Sequence, residues 1–284
     1  MTLTRKEVAA YFERSGGRPS RALGQNFLVD PNTVRKIVRL AGVGATDHVI
    51  EIGAGLGSLT LALAETGATI TAIEIDRYLI EELRINVRAH TNVNVVHADA
   101  MKIDWATFLA EHPSPTGRYT LVANLPYNVA TPLICDLLDF VPQIGRMLVM
   151  VQKEVADRLA AVARSEAYGA VSVKVAYWAE AKTVGTVPPS VFIPQPNVDS
   201  GLVRIDRRPE PAVPTDLVDH ERLFTVVKTG FGQRRKMLRR SLAGIVTPEA
   251  FSAAGVAPEA RPEELDVYAW GRLAAAAAAT SGLG

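Results

Sequence analysis

Two short stretches of the 284-residue chain carry residue types able to hold a nucleotide and act on an amine. The first, Glu51-Ile-Gly-Ala-Gly-Leu-Gly57, closes an apolar β-rich run and opens a helical pattern. Gly53, Gly55 and Gly57 permit a tight turn and close approach of a nucleotide-like ligand to the backbone. Glu74 ends the next β-rich run, 21 positions after Gly53. A carboxylate there can accept hydrogen bonds from both ribose hydroxyls, so the pair suits an adenosine-containing cofactor. A dinucleotide fingerprint needs a further glycine where Ser58 stands, which disfavours NAD. S-adenosylmethionine has an adenosine but no pyrophosphate and fits Gly-x-Gly-x-Gly better. Asp99, in His97-Ala-Asp-Ala100, follows a third β-rich run. Its carboxylate can accept from the cofactor's adenine amino group, although alone it reads as a turn residue.

The second stretch is Asn124-Leu-Pro-Tyr127, at the end of a fourth β-rich run. The residue types suit methyl transfer to an exocyclic adenine amine, whose lone pair is delocalised into the ring. The Asn124 side-chain oxygen and the Leu125 carbonyl can accept the two N–H bonds and draw that lone pair out of conjugation. Pro126 fixes the turn and brings no competing N–H. Tyr127 can stack on an unstacked base. Its ring face matters for this and its hydroxyl does not, so Tyr127→Phe is expected to be mild. The chemistry is a direct displacement in which catalysis is positioning plus polarisation of the amine, with no dedicated general base.

These residues need a scaffold that brings strand ends together. Val49–Ile52, Thr69–Ile75, Val93–His97, Leu121–Ala123 and Met147–Val151 read as strands, with helical stretches over Leu59–Glu65, Leu79–Ala89 and Pro132–Phe140. Such alternation predicts an α/β fold, a mostly parallel Rossmann-like sheet with helices on both faces. The carboxyl ends of its strands are where ligands bind. Asp30-Pro31 and Thr131-Pro132 each read as an N-cap followed by proline at the first helical position. Beyond Val173 the pattern suggests strands over Lys174–Val187 and Gly201–Ile205, joined by a proline-rich loop. Arg208–Pro214 reads as a linker, and the chain reads helical from Asp219, with turn signals near Gly244 and Thr247-Pro248. The expected division is a methyltransferase domain over 1–206, its first 20 residues a flexible arm, and a small helical RNA-contacting domain over 207–284. Leu273 and the six alanines after it favour helix but offer little to pack.

Net charge is +1, yet His220–Leu242 contains Arg222, Lys228, Arg234, Arg235, Lys236, Arg239 and Arg240 against the single acid Glu221. A nearly neutral chain with one basic segment suggests a local phosphate-binding footprint. The plainer reading is a solvated helix face. The single cysteine, Cys135, excludes an internal disulfide. The five histidines are scattered without metal-ligand spacing, so no metal is expected. No apolar run reaches the length of a membrane span, and Met1–Arg18 lacks a signal-peptide core. A cytoplasmic monomer is expected.

Taken in order, Leu23-Gly-Gln-Asn-Phe-Leu28, Glu51–Gly57, Glu74-Ile-Asp76, Asp99, Asn124–Tyr127, Val187-Pro-Pro-Ser-Val-Phe192 with Pro194, and Phe231-Gly-Gln-Arg-Arg-Lys236 span most of the chain. Together they resemble the bacterial small-subunit rRNA adenine dimethyltransferases. The resemblance implies that Asn26 and Leu28 contact S-adenosylmethionine from an N-terminal arm. Gly53, Glu74, Asp99 and Asn124 would complete the cofactor pocket. Phe192, by itself a loop-anchoring core residue, would form the second aromatic face on the target adenine. The implied substrate is two adjacent adenosines near the 3′ end of 16S rRNA, each dimethylated at N6, in an assembling 30S subunit. Arg234, Arg235, Lys236, Arg239 and Arg240 would contact the RNA. The first eighteen residues and the alanine-rich tail match no motif. One rival is the related 23S rRNA adenine methyltransferase of the macrolide-resistance type; the Phe231–Lys236 block and the full proline-rich loop favour the small-subunit enzyme. Another is a non-catalytic RNA-binding assembly factor; the intact Asn124 and Glu74 oppose it.

Overall fold

The computed structural model describes residues 2–281. Met1 and residues 282–284, which fall within the expected domain spans, lie outside the described residues. The chain falls into two compact units, residues 1–156 with 182–206, and residues 157–181 with 207–284. Its elements begin with α1 (Arg5–Ser15), β1 (Phe27–Leu28), α2 (Pro31–Ala41), β2 (His48–Ile52), α3 (Ser58–Ala64), β3 (Thr69–Glu74) and α4 (Arg77–Val87). Next come β4 (Val93–His97), α5 (Trp105–Glu111), β5 (Tyr119–Asn124), α6 (Ala130–Phe140), β6 (Ile144–Gln152), α7 (Lys153–Leu159) and α8 (Ala170–Trp178). β7 (Ala179–Val187), β8 (Phe192–Ile193) and β9 (Ser200–Arg207) follow. The chain closes with α9 (His220–Gly232), α10 (Leu238–Ser241), α11 (Pro248–Ala254) and α12 (Val267–Ser281).

The main sheet has the order β4-β3-β2-β5-β6-β9-β7. β4, β3, β2, β5 and β6 run parallel, and β9 pairs antiparallel with β6. Val49, Ile50, Leu121 and Val122 are wholly buried, as expected of central parallel strands covered on both faces. β2 lies between β3 and β5, so the strand order reverses there and a crevice opens at the carboxyl ends. Gly53, Glu74, Asp99 and Asn124 all stand at those ends.

Several expectations need correction. The first residues are not a loose arm. Thr4 and Glu7 form a reciprocal capping box, α1 ends at Gly16, and Val8 and Tyr11 are buried with Phe27, Leu56 and Leu79. Residues 157–181 join the C-terminal unit instead of the sheet unit, because α8 supplies Val173 and Tyr177 to the core built around Trp270. The same helix replaces the first half of the strand expected over Lys174–Val187. It buries Ser172, Val173, Val175 and Tyr177 on several faces, so the sequence shows no polar stripe and its β-branched residues mimic a strand. Thr131 is not an N-cap: α6 begins one residue earlier, and the Pro126 carbonyl accepts from Val129 N and Ala130 N. Asp30 does cap α2, accepting from Thr33 N at 2.7 Å.

In the C-terminal unit the alanine-rich stretch packs after all. Leu273, Ala274 and Ala277 are buried on α12, where small side chains let the helix sit close to its neighbours. Gly230 on α9 is required for the same reason, since a Cβ there would meet the Trp270 ring at 2.6 Å.

Candidate active site

A cleft opens at the carboxyl ends of β2, β3 and β5. Asn26, Leu28, Gly53, Gly55, Glu74, Asn124, Leu125, Pro126 and Tyr127, all candidates from the sequence, line it. A second hollow shares Leu23, Gly53, Ile75 and Pro126 with the first and adds Asp99. The structure therefore brings nearly every proposed cofactor residue into two adjoining spaces.

Each position has a local cause. Gly53 N and Ala54 N both donate to Ile73 O, turning the chain sharply out of β2. Gly55 has φ +58°, and a Cβ there would approach the Phe27 ring at 3.1 Å. Gly55 N then donates to Glu74 Oε2 at 2.7 Å, and Asp76 N donates to Glu74 Oε1 at 2.9 Å. Both carboxylate oxygens are thus aimed by backbone donors. Burial raises the Glu74 carboxyl above its ordinary range, against those two hydrogen bonds. Gly57 does not line the cleft among the described residues. Its φ is +94°, and a Cβ would lie 2.8 Å from Leu83 Cδ1, so it serves the packing of α3 on α4.

Asn124 is oriented by the N-terminal segment. Its Nδ2 donates to Asn26 O at 2.9 Å. A carbonyl can only accept, which fixes the amide's orientation and leaves Oδ1 with no hydrogen bond among the described residues. Asn26 itself is held by its Nδ2 donating to Gly24 O. Asp99 accepts from Met101 N at 3.0 Å and lies 3.4 Å from Lys102 Nζ, which is largely exposed.

Phe192 departs from its expected place. It pairs with Leu28 across the β1–β8 ladder, but its side chain is fully buried in the apolar core and does not line the cleft among the described residues. The plainer reading, a core anchor for the proline-rich loop, is the observed one. Sequence reasoning passed over Glu51. It is wholly buried on the cleft wall, and its Oε2 has no hydrogen-bond partner among the described residues. Burial pushes its carboxyl up to about 8. The signal was present as a carboxylate inside the apolar run Val49–Ile52.

Of the five cations expected to contact RNA, Arg234, Arg235 and Lys236 lie in the turn after α9, while Arg239 and Arg240 lie on α10. Arg234 donates to Glu166 O at 2.8 Å and sits 3.8 Å from Glu263, while Arg239 pairs with Glu259. Arg235, Lys236 and Arg240 are exposed and have no acidic partner among the described residues.

A family model described as ribosomal RNA adenine dimethylase matches residues 18–278. The chain belongs to the ribosomal RNA adenine dimethylase family. Among relatives, the ribosomal RNA small subunit methyltransferase A of Bifidobacterium longum subsp. infantis is 48% identical, covering 92% of this chain and 89% of its own. That of Kineococcus radiotolerans is 48% identical, covering 96% and 91%. The solved 23S rRNA methyltransferase ErmE is 29% identical with a TM-score of 0.68, covering 87% of this chain and 98% of its own. A dimethyladenosine transferase from Plasmodium falciparum, 23% identical over 87% of this chain and 95% of its own, shares the fold with a TM-score of 0.73. As a dimethylase, the chain is an enzyme that uses S-adenosylmethionine. The cleft fits that cofactor: Glu51 Oε2 is a buried polar atom with no hydrogen-bond partner among the described residues, on a carboxyl that a cationic group would draw into its ionised form, and both Glu74 oxygens are held at the cleft by backbone donors. Among the described residues, no helix is long and apolar enough to cross a membrane.

Proposed function

We propose that this dimethylase transfers methyl groups to N6 of two adjacent adenosines near the 3′ end of 16S rRNA, each twice, in the assembling 30S subunit. The observation that carries the reading is the Asn124 amide, held by Asn26 O with Oδ1 left to accept. An acceptor locked in one orientation can withdraw an N–H of the target amine without reorganising during reaction. Bound S-adenosylmethionine supplies an electrophilic methyl group on a sulfonium. Glu74 holds the ribose, Asp99 the adenine amino group, and Glu51 the cationic amino-acid end. Tyr127 gives the target adenine a face to stack on. The proton leaves the amine late, to water. The small-subunit relatives at 48% identity favour 16S over 23S rRNA as substrate. Arg235, Lys236 and Arg240 bind phosphates of the RNA, and the protein acts as a cytoplasmic monomer. The test is mapping of N6-modified adenines after incubating purified protein with S-adenosylmethionine and unmethylated 30S or 50S subunits. Dimethylation of two adjacent 16S adenosines is expected; modification confined to 23S rRNA, or none, overturns the reading.

A further inference from the structure

Tyr127 lines the cleft beside Asn124, and its hydroxyl shares a 2.8 Å hydrogen bond with Ser200 Oγ. Ser200 is fully buried, opens β9 and stands opposite Gln152 in the β6–β9 ladder. It cannot drift. Lys153 N donates to Asp199 O at 3.0 Å, and Gly201 packs so closely on α7 that a Cβ there would lie 2.4 Å from Ala156 Cβ. The phenol is therefore held at both ends, by the turn after Pro126 and by a hydroxyl anchored in the sheet.

We propose that Ser200 is a positioning residue for methyl transfer, whose hydroxyl holds the Tyr127 ring in the plane on which the target adenine stacks. The inference rests on the reading of Tyr127 as that stacking face. An untethered ring would be ordered only when RNA arrives, at a cost in binding and alignment; the tether orders it during folding. The ring plane also sets where the amine sits relative to Asn124 Oδ1, and displacements near 1 Å are costly in positioned reactions. Burial raises the Tyr127 hydroxyl above its ordinary range, which keeps it neutral and bonded. The expectation that Tyr127→Phe is mild is thereby revised.

The test compares Ser200→Ala, Tyr127→Phe, their combination and Tyr127→Ala by kcat on the RNA substrate, with S-adenosylmethionine affinity measured alongside. Ser200→Ala and Tyr127→Phe are each expected to lower kcat about 5- to 10-fold, the loss of one hydrogen bond, and the pair to do no worse than either alone. Cofactor affinity stays at the wild-type value. Should Ser200→Ala not fold, Tyr127→Phe leaves the strand intact and decides alone; a wild-type kcat there overturns the proposal. A Ser200→Ala loss that persists in full in the Tyr127→Phe background also overturns it, because Ser200 then acts through the strand. Wild-type turnover by Tyr127→Ala removes the stacking reading itself, and the proposal with it.

Discussion

In the sheet unit, Glu51 and Glu74 are carboxyl groups withdrawn from water on the wall of a cleft. In the C-terminal unit, Arg235, Lys236 and Arg240 stand in solvent, and Arg234 and Arg239 next to them are already engaged by acids. Groups of the first kind are shielded from water, so a polar ligand group that reaches them is met strongly and in one geometry. Charges of the second kind keep their water, are screened by salt and act as a sum. Under the proposed function, recognition of the cofactor is thus concentrated in single residues, while affinity for RNA is distributed.

The sharpest way to break that contrast is at the cleft. Asn124→Ala is expected to lower methyl transfer at saturating cofactor about 10²- to 10³-fold, the scale of removing one preorganised polar group. A near-wild-type single-turnover rate would exclude amine polarisation by this side chain. Glu74→Ala is expected to weaken S-adenosylmethionine binding by about 1–3 kcal/mol, the scale of removing charge-assisted hydrogen bonds. Calorimetry on a folded variant reads this directly, and unchanged affinity would remove Glu74 from the pocket.

Glu51 sharpens the comparison through pH. Its carboxyl lies at about 8 in the folded protein against an ordinary 4.5. A raised folded value means that the protonated form stabilises the fold at low pH, and that this contribution is lost as pH rises through about 8. Without cofactor, Glu51→Gln should therefore match wild type in acid and become relatively more stable toward alkaline pH. Parallel thermal-unfolding profiles across that range would contradict a buried, unpaired carboxyl.

The smallest effects belong to the basic cluster of the turn after α9 and of α10. Replacing Arg235, Lys236 and Arg240 with alanine should lower the salt dependence of RNA binding, with a slope change of about 0.7–0.9 for each phosphate that is no longer neutralised. Cofactor affinity should be unchanged. Replacing Arg234 and Arg239 should change the slope less, because their acidic partners already neutralise them. Equal slopes for the two sets would mean that the partnered and unpartnered cations are equivalent.

Much of this was legible in the order of residues. The apolar runs ending at Ile52, Glu74, His97 and Asn124 specify parallel strands, and parallel strands place Gly53, Glu74, Asp99 and Asn124 along one crevice. Thr4, Glu7 and Gly16 carried local signals of a helix start and stop, which the expectation of a flexible arm overlooked. What the sequence could not decide depended on partners distant along the chain. Phe192 between prolines suits either a base-stacking face or a core anchor, and only its pairing with Leu28 buries it. Gly57 resembles its neighbours in the glycine loop until Leu83, 26 residues onward, occupies the space beside it. The strand-like run of α8 became a helix because its surroundings bury several of its faces at once. Orientation was settled last of all. Asn124 acquires a defined acceptor from Asn26 O, 98 residues earlier, and Tyr127 a fixed ring from Ser200, 73 residues later. Residue type and spacing determine which groups can do the chemistry; long-range contacts determine which way each of them points.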